Sequence, residues 1–375
     1  MELFVTCSSH LEEVLKHELE DLGYQDQVIG FRGIYIKVSQ ERDLYRINYC
    51  SRIASRVLLP ILNFRCMSRE DLYNATASLS WAPYLRHAKT LAIDANVESP
   101  ALRNSLFAAQ VVKDAICDQM SEKTGSRPFV DTSNPDLQLN LFLRNGKGIL
   151  SLDTSGAPLH KRGYRQEGGE APLRETIAAA CLRMGGYNSS EIMLDPCAGS
   201  GTFLIEAALM ASNTPPGIFR KKWGFFNWPH FSEQEWLQIK IQEDAKRIPL
   251  KKGFFYGIEI NRTTQRLALG NLKATGLHSY INFSVGDFRE YELACSPTFL
   301  MTNPPYGKRL EDENRLVPLY RSLGAFMKEK MEKPSRGFIL TGSPALAKEV
   351  GLSAKRRYVI DNGGIEARLL EFDIY

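Results

Sequence analysis

Residues Asn303-Pro304-Pro305-Tyr306 follow a short apolar run, Thr298-Phe299-Leu300-Met301, that reads as a buried strand. A corner of this composition at a strand's carboxyl end suits one chemical task, holding the exocyclic amino group of a planar base for methylation. Such an amine is a poor nucleophile because its lone pair is delocalised into the ring. The side-chain carbonyl of Asn303 and the backbone carbonyl of Pro304 could each accept one N–H. Two acceptors would draw the nitrogen toward tetrahedral geometry and free the lone pair. Pro304 and Pro305 fix φ and aim those acceptors in advance. Tyr306 offers a flat face on which a base can stack. The plain alternative is a strand followed by a proline-rich turn with a half-buried Tyr, and so short a motif needs context to decide.

That context begins about a hundred residues upstream. Residues 191–195 (Glu-Ile-Met-Leu-Asp) form a short apolar strand ending in Asp195, then run through Pro196-Cys197-Ala198-Gly199-Ser200-Gly201-Thr202 into the helical stretch 203–211. Strand, Gly-rich turn and helix make the first βα unit of a nucleotide-type α/β sheet. Gly199 and Gly201 permit close backbone approach to a ligand. Leu204 stands where a dinucleotide fingerprint needs its third Gly, and the chain has no G-x-x-x-x-G-K-[ST] run. The loop suits a zwitterionic ligand such as S-adenosylmethionine, with Asp195 near its amino-acid end. Cys197 reads as a small packing residue within this loop.

Two further acids come next in order. Residues 254–259 end in Glu259, placed to accept from both hydroxyls of a ribose. Residues 281–285 read as the third strand and lead to Asp287 and Phe288, which could take an adenine amine and pack on its ring. Singly, each acid could equally be exposed at a strand end or cap a helix. Together with the loop and the corner they occupy the carboxyl ends of successive strands, the edge along which open α/β sheets bind ligands.

On these residues the C-terminal half resembles the class I S-adenosylmethionine-dependent amino-methyltransferases, with a Rossmann-like, seven-stranded α/β catalytic domain. The strings 152–156 (Leu-Asp-Thr-Ser-Gly), 159–165 (Leu-His-Lys-Arg-Gly-Tyr-Arg), 171–176 (Ala-Pro-Leu-Arg-Glu-Thr), 195–202 and 302–307 extend the likeness. With them the whole chain resembles the THUMP-domain N2-guanosine RNA methyltransferases, the bacterial RlmL-type enzymes of 23S ribosomal RNA and their archaeal tRNA relatives. Such proteins often carry the label of N6-adenine DNA methylases, because the corner fits both amines. The resemblance implies S-adenosylmethionine as cofactor, S-adenosylhomocysteine as product and RNA as partner, free or in a ribosomal assembly particle, with 23S rRNA favoured. It also implies that Arg174, Glu175 and Thr176 help contact the methionine end of the cofactor. Some relatives carry a second methyltransferase domain behind this one, and a single reaction is expected here. A tRNA guanosine or a DNA adenine is the alternative acceptor. An RNA-binding ribosome-assembly factor is the non-enzymatic alternative, and its signature would be a degraded loop or corner.

The elements that must position these residues fit the same outline. At 375 residues the chain exceeds the roughly 250–300 at which single cores stop growing. The expected division is an α+β, ferredoxin-like part at 1–65, a THUMP-like RNA-binding domain at 66–155, a Gly-rich charged linker at 156–170 and the methyltransferase domain at 171–375. Strands are read at 3–6, 34–38, 137–143, 148–153, 336–341, 357–360 and 365–375, and helices at 11–22, 41–58 and 101–121. The beginning of the chain lacks a basic segment followed by a long apolar one, and no apolar run reaches the ~20 residues of a membrane span. Seven scattered Cys without paired Cys/His spacing point to a reducing cytoplasm and no zinc site. Residues 1–160 hold 17 Lys/Arg against 19 Asp/Glu, so the basic excess lies in the C-terminal part, with 30 against 24. Arg42, Arg46, Arg52 and Arg56 are read either as a phosphate-facing stripe on one helix or as a solvated helix face with internal ion pairs, and Lys161, Arg162 and Arg165 are expected to contact RNA beside the crevice. The aromatic and basic run 215–228 is read as a loop packed on the sheet, with base stacking as the alternative.

Overall fold

Residues 137–144 alternate strictly between apolar and polar, and in the computed structural model, which describes residues 1–85, 90–98, 102, 104–165, 173–307 and 310–375, they form a strand with the same alternation of buried and half-buried positions. The elements of the N-terminal half are β1 (Glu2–Thr6), α1 (Glu12–Asp21), β2 (Gln27–Gly30), β3 (Gly33–Lys37), α2 (Arg42–Cys50), β4 (Arg56–Arg65), α3 (Arg69–Ser78), α4 (Ala82–Leu85), β5 (Thr90–Glu98), α5 (Ser105–Thr124), β6 (Phe129–Val130), β7 (Leu137–Arg144) and β8 (Lys147–Asp153). Their strands join in one eight-stranded sheet ordered β2-β3-β1-β4-β8-β7-β5-β6. The antiparallel pairing of β4 with β8 fuses residues 1–65 and residues 66–155 into a single sheet. The first residues of the helix expected at 101–121 include positions outside the described residues. The observed helix is capped by Asn104, whose side chain accepts from the Leu106 amide, and runs from Ser105.

The C-terminal half contains α6 (Glu175–Met184), β9 (Met193–Asp195), α7 (Thr202–Ala211), two 3-10 turns (Pro216–Phe219 and Gly224–Asn227), α8 (Glu233–Asp244), β10 (Phe255–Glu259), α9 (Arg262–Thr275), β11 (Ile281–Val285), β12 (Phe299–Thr302), α10 (Leu310–Lys330), β13 (Ser335–Thr341), α11 (Pro344–Glu349), β14 (Arg356–Asn362) and β15 (Ile365–Ile374). The sheet order is β11-β10-β9-β12-β13-β15-β14. Every strand is parallel to its neighbours except β15, which is antiparallel to β13 and β14. The central strands are continuous apolar runs, as burial on both faces requires. The order reverses between β9 and β12, which opens a crevice at their carboxyl ends.

The helix expected over 41–58 is shorter. It stops at Cys50 because buried Glu18 captures the next segment, accepting from the Ser51 hydroxyl (2.6 Å) and the amides of Arg52 (2.8 Å) and Ile53 (3.3 Å). Arg56 therefore lies on β4, not on the helix.

The run 215–228 packs, but chiefly against the N-terminal half. Trp223 stacks on Phe225 (5.5 Å), Phe225 meets Tyr45 (4.8 Å), and Tyr49 stands edge-on to Trp236 (5.3 Å). Arg220 lies over Trp223 and donates to the carbonyls of Ser155, Ala157, Pro158 and Lys161. Polar bonds cross the same seam, Tyr49 to Asp244 (2.7 Å) and Arg46 to Glu243 (2.6 Å). The described part of the expected linker is a buried strap. Arg162 and Tyr164 are 2% and 1% exposed. Residues 166–170 of that expectation lie outside the described residues. Among the described residues no helix is long and apolar enough to cross a membrane.

Arg162 pairs with fully buried Glu206 of α7 at 3.3 Å and donates to the carbonyls of Leu159 and Arg52. Removing one member leaves a buried, uncompensated charge. Glu206→Gln is expected to destabilise the fold by roughly 3–5 kcal/mol in urea unfolding, and the paired change Arg162→Met with Glu206→Leu to recover most of that loss.

Candidate active site

The Gly-rich loop and the proline corner are neighbours because β9 and β12 are hydrogen-bonded partners. The last residue of β12, Thr302, donates its hydroxyl to Asp195 Oδ1 at 2.7 Å, and the Cys197 amide donates to the same oxygen at 3.1 Å. Asp195 is 2% exposed. Burial raises its carboxyl to about 7, the negative charge of Glu259 adds to the rise, and the bonds from Thr302 and Cys197 oppose it. Burial also raises the Cys197 thiol well above its ordinary range, so it is not a thiolate at neutral pH.

Gly199 and Gly201 have φ of +54° and +80°, and no atom lies within 4 Å of where a Cβ on Gly199 would stand. The loop thus presents bare backbone to open space. Glu259 accepts from the Gly199 amide (2.9 Å) and the Asn261 amide (2.8 Å), one bond per oxygen. A carboxylate has about four acceptor sites, so these bonds orient Glu259 and leave capacity for a diol. Asp287 is forked by Arg289, which contacts both its oxygens and holds the carboxyl below its ordinary range. Phe288 is 4% exposed and edge-on to Phe326 at 5.6 Å. Its ring is thus engaged in the core.

At the corner, Pro304 is buried and Pro305 exposed. Asn303 Oδ1 is shielded from solvent and has no hydrogen-bond partner among the described residues. A buried carbonyl without a donor is an acceptor left open for one. Tyr306 rests on Gly342, where a Cβ would come within 2.9 Å of its ring.

The 171–176 segment is described from Leu173; Ala171 and Pro172 lie outside the described residues. Arg174 is exposed at the start of α6, whereas Glu175 and Thr176 are 3% and 2% exposed. Arg165 holds Glu175 at 2.9 Å and reaches Ser200 Oγ (3.0 Å) and Thr202 Oγ1 (3.2 Å), clamping the Gly-rich loop to α6. Arg165 is therefore internal. So are Arg46, paired with Glu243, Arg52, donating to the carbonyls of Leu209 and Thr214, Arg56, paired with Asp153, and Arg162. These five correct the expected phosphate-facing set, because each guanidinium is committed to a carboxylate or carbonyl. Arg42 is half-buried and Lys161 exposed. Sequence reasoning missed Thr302, Gly342 and Arg289. Thr302 was detectable as the one polar residue closing an apolar strand, while Gly342 carried no local signal.

Residues 162–370 match the family described as RMKL-like, methyltransferase domain; residues 67–153 match the THUMP domain and 2–58 the RlmL ferredoxin-like domain. Over 99% of its length the chain is 34% identical to a ribosomal RNA large subunit methyltransferase K/L of Marinomonas sp. (strain MWYL1), of which it covers 52%. It thus spans about half the length of the K/L relatives it matches. It is 33% identical to a candidate RNA methyltransferase of Synechocystis sp. (strain ATCC 27184 / PCC 6803 / Kazusa), covering 99% of this chain and 96% of that protein. A crystal structure of a candidate methyltransferase complexed with SAH is similar at a TM-score of 0.87 and 25% identity, over 100% of this chain and 98% of that one.

The raised Asp195 carboxyl has a signed consequence. Between its ordinary value near 4 and about 7 the folded chain keeps a proton that the unfolded chain has lost. This contribution to stability is complete below pH 4 and is lost as pH rises through 7. Asp195→Asn retains an acceptor for Thr302 and has no such loss. The stability of the variant minus that of the native chain should therefore rise by roughly 2–3 kcal/mol from pH 5 to pH 7 in denaturant titrations.

Proposed function

This chain belongs to the family of the RMKL-like methyltransferase domain, and we propose that it transfers a methyl group from S-adenosylmethionine to the N2 amine of a guanosine in structured RNA, with 23S rRNA the favoured substrate. The observation that carries this reading is the shielded Oδ1 of Asn303 at the carboxyl end of β12, which has no hydrogen-bond partner among the described residues. Support comes from the bare Gly-rich loop beside it, from the THUMP and RlmL ferredoxin-like matches ahead of it, and from the rRNA methyltransferase names of relatives.

When bound, S-adenosylmethionine supplies an electrophilic methyl group on a sulfonium sulfur. The cofactor would be held by the Gly199–Gly201 backbone, Glu259, Asp287 and the Asp195 end of the loop. The rest of the step falls to the corner. Asn303 Oδ1 and the Pro304 carbonyl accept the two N–H groups and free the nitrogen lone pair, while Tyr306 stacks the base. Methyl transfer, with the sulfonium sulfur leaving as a neutral thioether, would make the nitrogen cationic and strongly acidic. Its proton leaves along the bond to Asn303 or to water, so no strong general base is required. Thr302, fixed by Asp195, sets the position of Asn303.

The test is methyl transfer from labelled S-adenosylmethionine to unmodified 23S rRNA, tRNA and duplex DNA in parallel, with the nucleoside identified by mass spectrometry. N2-methylguanosine in rRNA is expected, and N6-methyladenine in DNA would overturn the assignment. Asn303→Ala should lower kcat by roughly 100- to 1,000-fold, the scale of losing one preorganised polar contact. S-adenosylhomocysteine should raise the melting temperature of native chain and variant alike. Full activity in the variant would remove Asn303 from the mechanism.

A further inference from the structure

The eight-stranded sheet buries one face under its helices and leaves polar and aromatic residues on the other. On β7 the apolar set Leu137, Leu139, Leu141 and Leu143 is buried, and Asn140 and Phe142 alternate with it on the opposite face. On β5, Asp94 and Asn96 are exposed. This face carries a groove of about 450 Å³ whose walls include Phe4, Phe31, Tyr35 and Phe142, with Asn96 and Asn140 on its polar side. Phe4 packs against Tyr35 at 4.4 Å, and Phe31 faces Phe142 at 6.3 Å with planes 28° apart. Phe31 is 52% exposed, in the turn between β2 and β3. An exposed Phe at the mouth of an aromatic groove has no role in packing a core.

We propose that this groove is a second nucleotide subsite, which stacks an unpaired base of the RNA substrate at a fixed distance from the corner that holds the target amine. The proposal rests on the reading of the substrate as RNA. Three features favour an unpaired nucleotide. Aromatic side chains on an open sheet face stack splayed bases, which a helical duplex does not offer. The Asn side chains present both donors and acceptors, suited to a base edge. Arg174 also lines the groove, is exposed, and makes no ion pair among the described residues, so its charge is available to a phosphate.

A chain of contacts joins groove and corner. Arg174 Nη2 lies 3.5 Å from where a Cβ on Gly363 would stand, in the β14–β15 turn. Two residues on, Ile365 Cγ2 stands 3.4 Å from the Cβ position of Gly342, the same position that the Tyr306 ring approaches at 2.9 Å. Arg32, another residue of the groove, is paired with Asp361 of β14 at 2.9 Å. One strand of RNA leaving the corner would therefore pass the β14–β15 turn to reach the groove.

The experiment uses the full chain and three probes: hexauridylate, its deoxy counterpart and a blunt RNA duplex. Binding is read by fluorescence anisotropy, and hexauridylate is also photo-crosslinked for mass spectrometric mapping. Hexauridylate is expected to bind more tightly than either other probe and to crosslink to peptides containing Phe31, Tyr35 or Phe142. Phe31→Ala and Phe142→Ala are each expected to weaken it roughly tenfold, the effect of losing one stacking partner. KM for 23S rRNA should rise by a similar factor, with the thermal shift by S-adenosylhomocysteine retained. Equal binding by native chain and variants, crosslinks confined to other surfaces, or tighter binding of the deoxy probe or the duplex would overturn the proposal. The oligonucleotide arm does not depend on methyl transfer, so a wrong acceptor assignment would appear in the methylation assay alone.

Discussion

The buried ion pair between Arg162 and Glu206 ties the strap between the halves to the helix that follows the Gly-rich loop. Neither group reaches water, so each would carry a large desolvation penalty without the other. The pair is also closed by geometry. Arg162 spends its remaining donors on the carbonyls of Leu159 and Arg52, and Tyr164 completes Glu206. Arg52 belongs to the N-terminal half, while Glu206 lies in the second turn of the helix after the Gly-rich loop. Shifting the two halves relative to one another would break the bond from Arg162 to the Arg52 carbonyl. Three residues further along the strap, Arg165 repeats the arrangement with Glu175 and the hydroxyls of Ser200 and Thr202. The segment between the halves is therefore a clamp, and the Gly-rich loop is built partly from residues outside the catalytic sheet.

Inside that clamp, the crevice at β9 and β12 shows how the corner is held without being satisfied. Thr302 is fixed by Asp195, Tyr306 by the missing side chain of Gly342, and Pro304 and Pro305 by their own rings. Asn303 is left with a shielded oxygen and no donor among the described residues, an arrangement that costs about 1–3 kcal/mol in a folded protein. The surrounding bonds keep the backbone from relaxing to quench it. An acceptor aimed before the substrate arrives needs no reorganisation during the reaction, and the stability lost there is supplied by the large shared core.

The catalytic half was legible in the sequence because its chemistry sits at the ends of apolar strands, where motif and element confirm each other. Asp195, Glu259 and Asn303 close their strands or come directly after them, as expected. The arginine stripe was not legible. Spacing of four places residues on one helical face but does not say which protein surface meets it, and here Arg46 meets Glu243, almost two hundred residues away. The helix was read through to 58 because no Gly or Pro interrupts residues 42–59. Its real stop is the carboxylate of Glu18, a tertiary signal. The run 215–228 shows the same limit, since interleaved aromatic and basic residues describe a stacking loop and a packed one equally well. Tyr45 and Tyr49 decide between them.

The corner also leaves a selection problem that the clamp can solve. Two carbonyl acceptors recognise two N–H groups on a planar ring, and guanine N2 and adenine N6 both present that pattern. On the proposed reading, the proline corner would activate an amine without identifying the base, still less its place in a long RNA. Discrimination must come from elsewhere, from contacts to the ring edge or from the position of the target within a folded RNA. Position can be read only by a second contact held at constant distance from the first. A flexible linker would blur that distance, whereas a strap locked by buried ion pairs preserves it. Under the two proposals, Arg174 and the β14–β15 turn would bridge the open face of the N-terminal sheet to the base-holding corner, and the rigidity of the join would become a means of choosing the substrate.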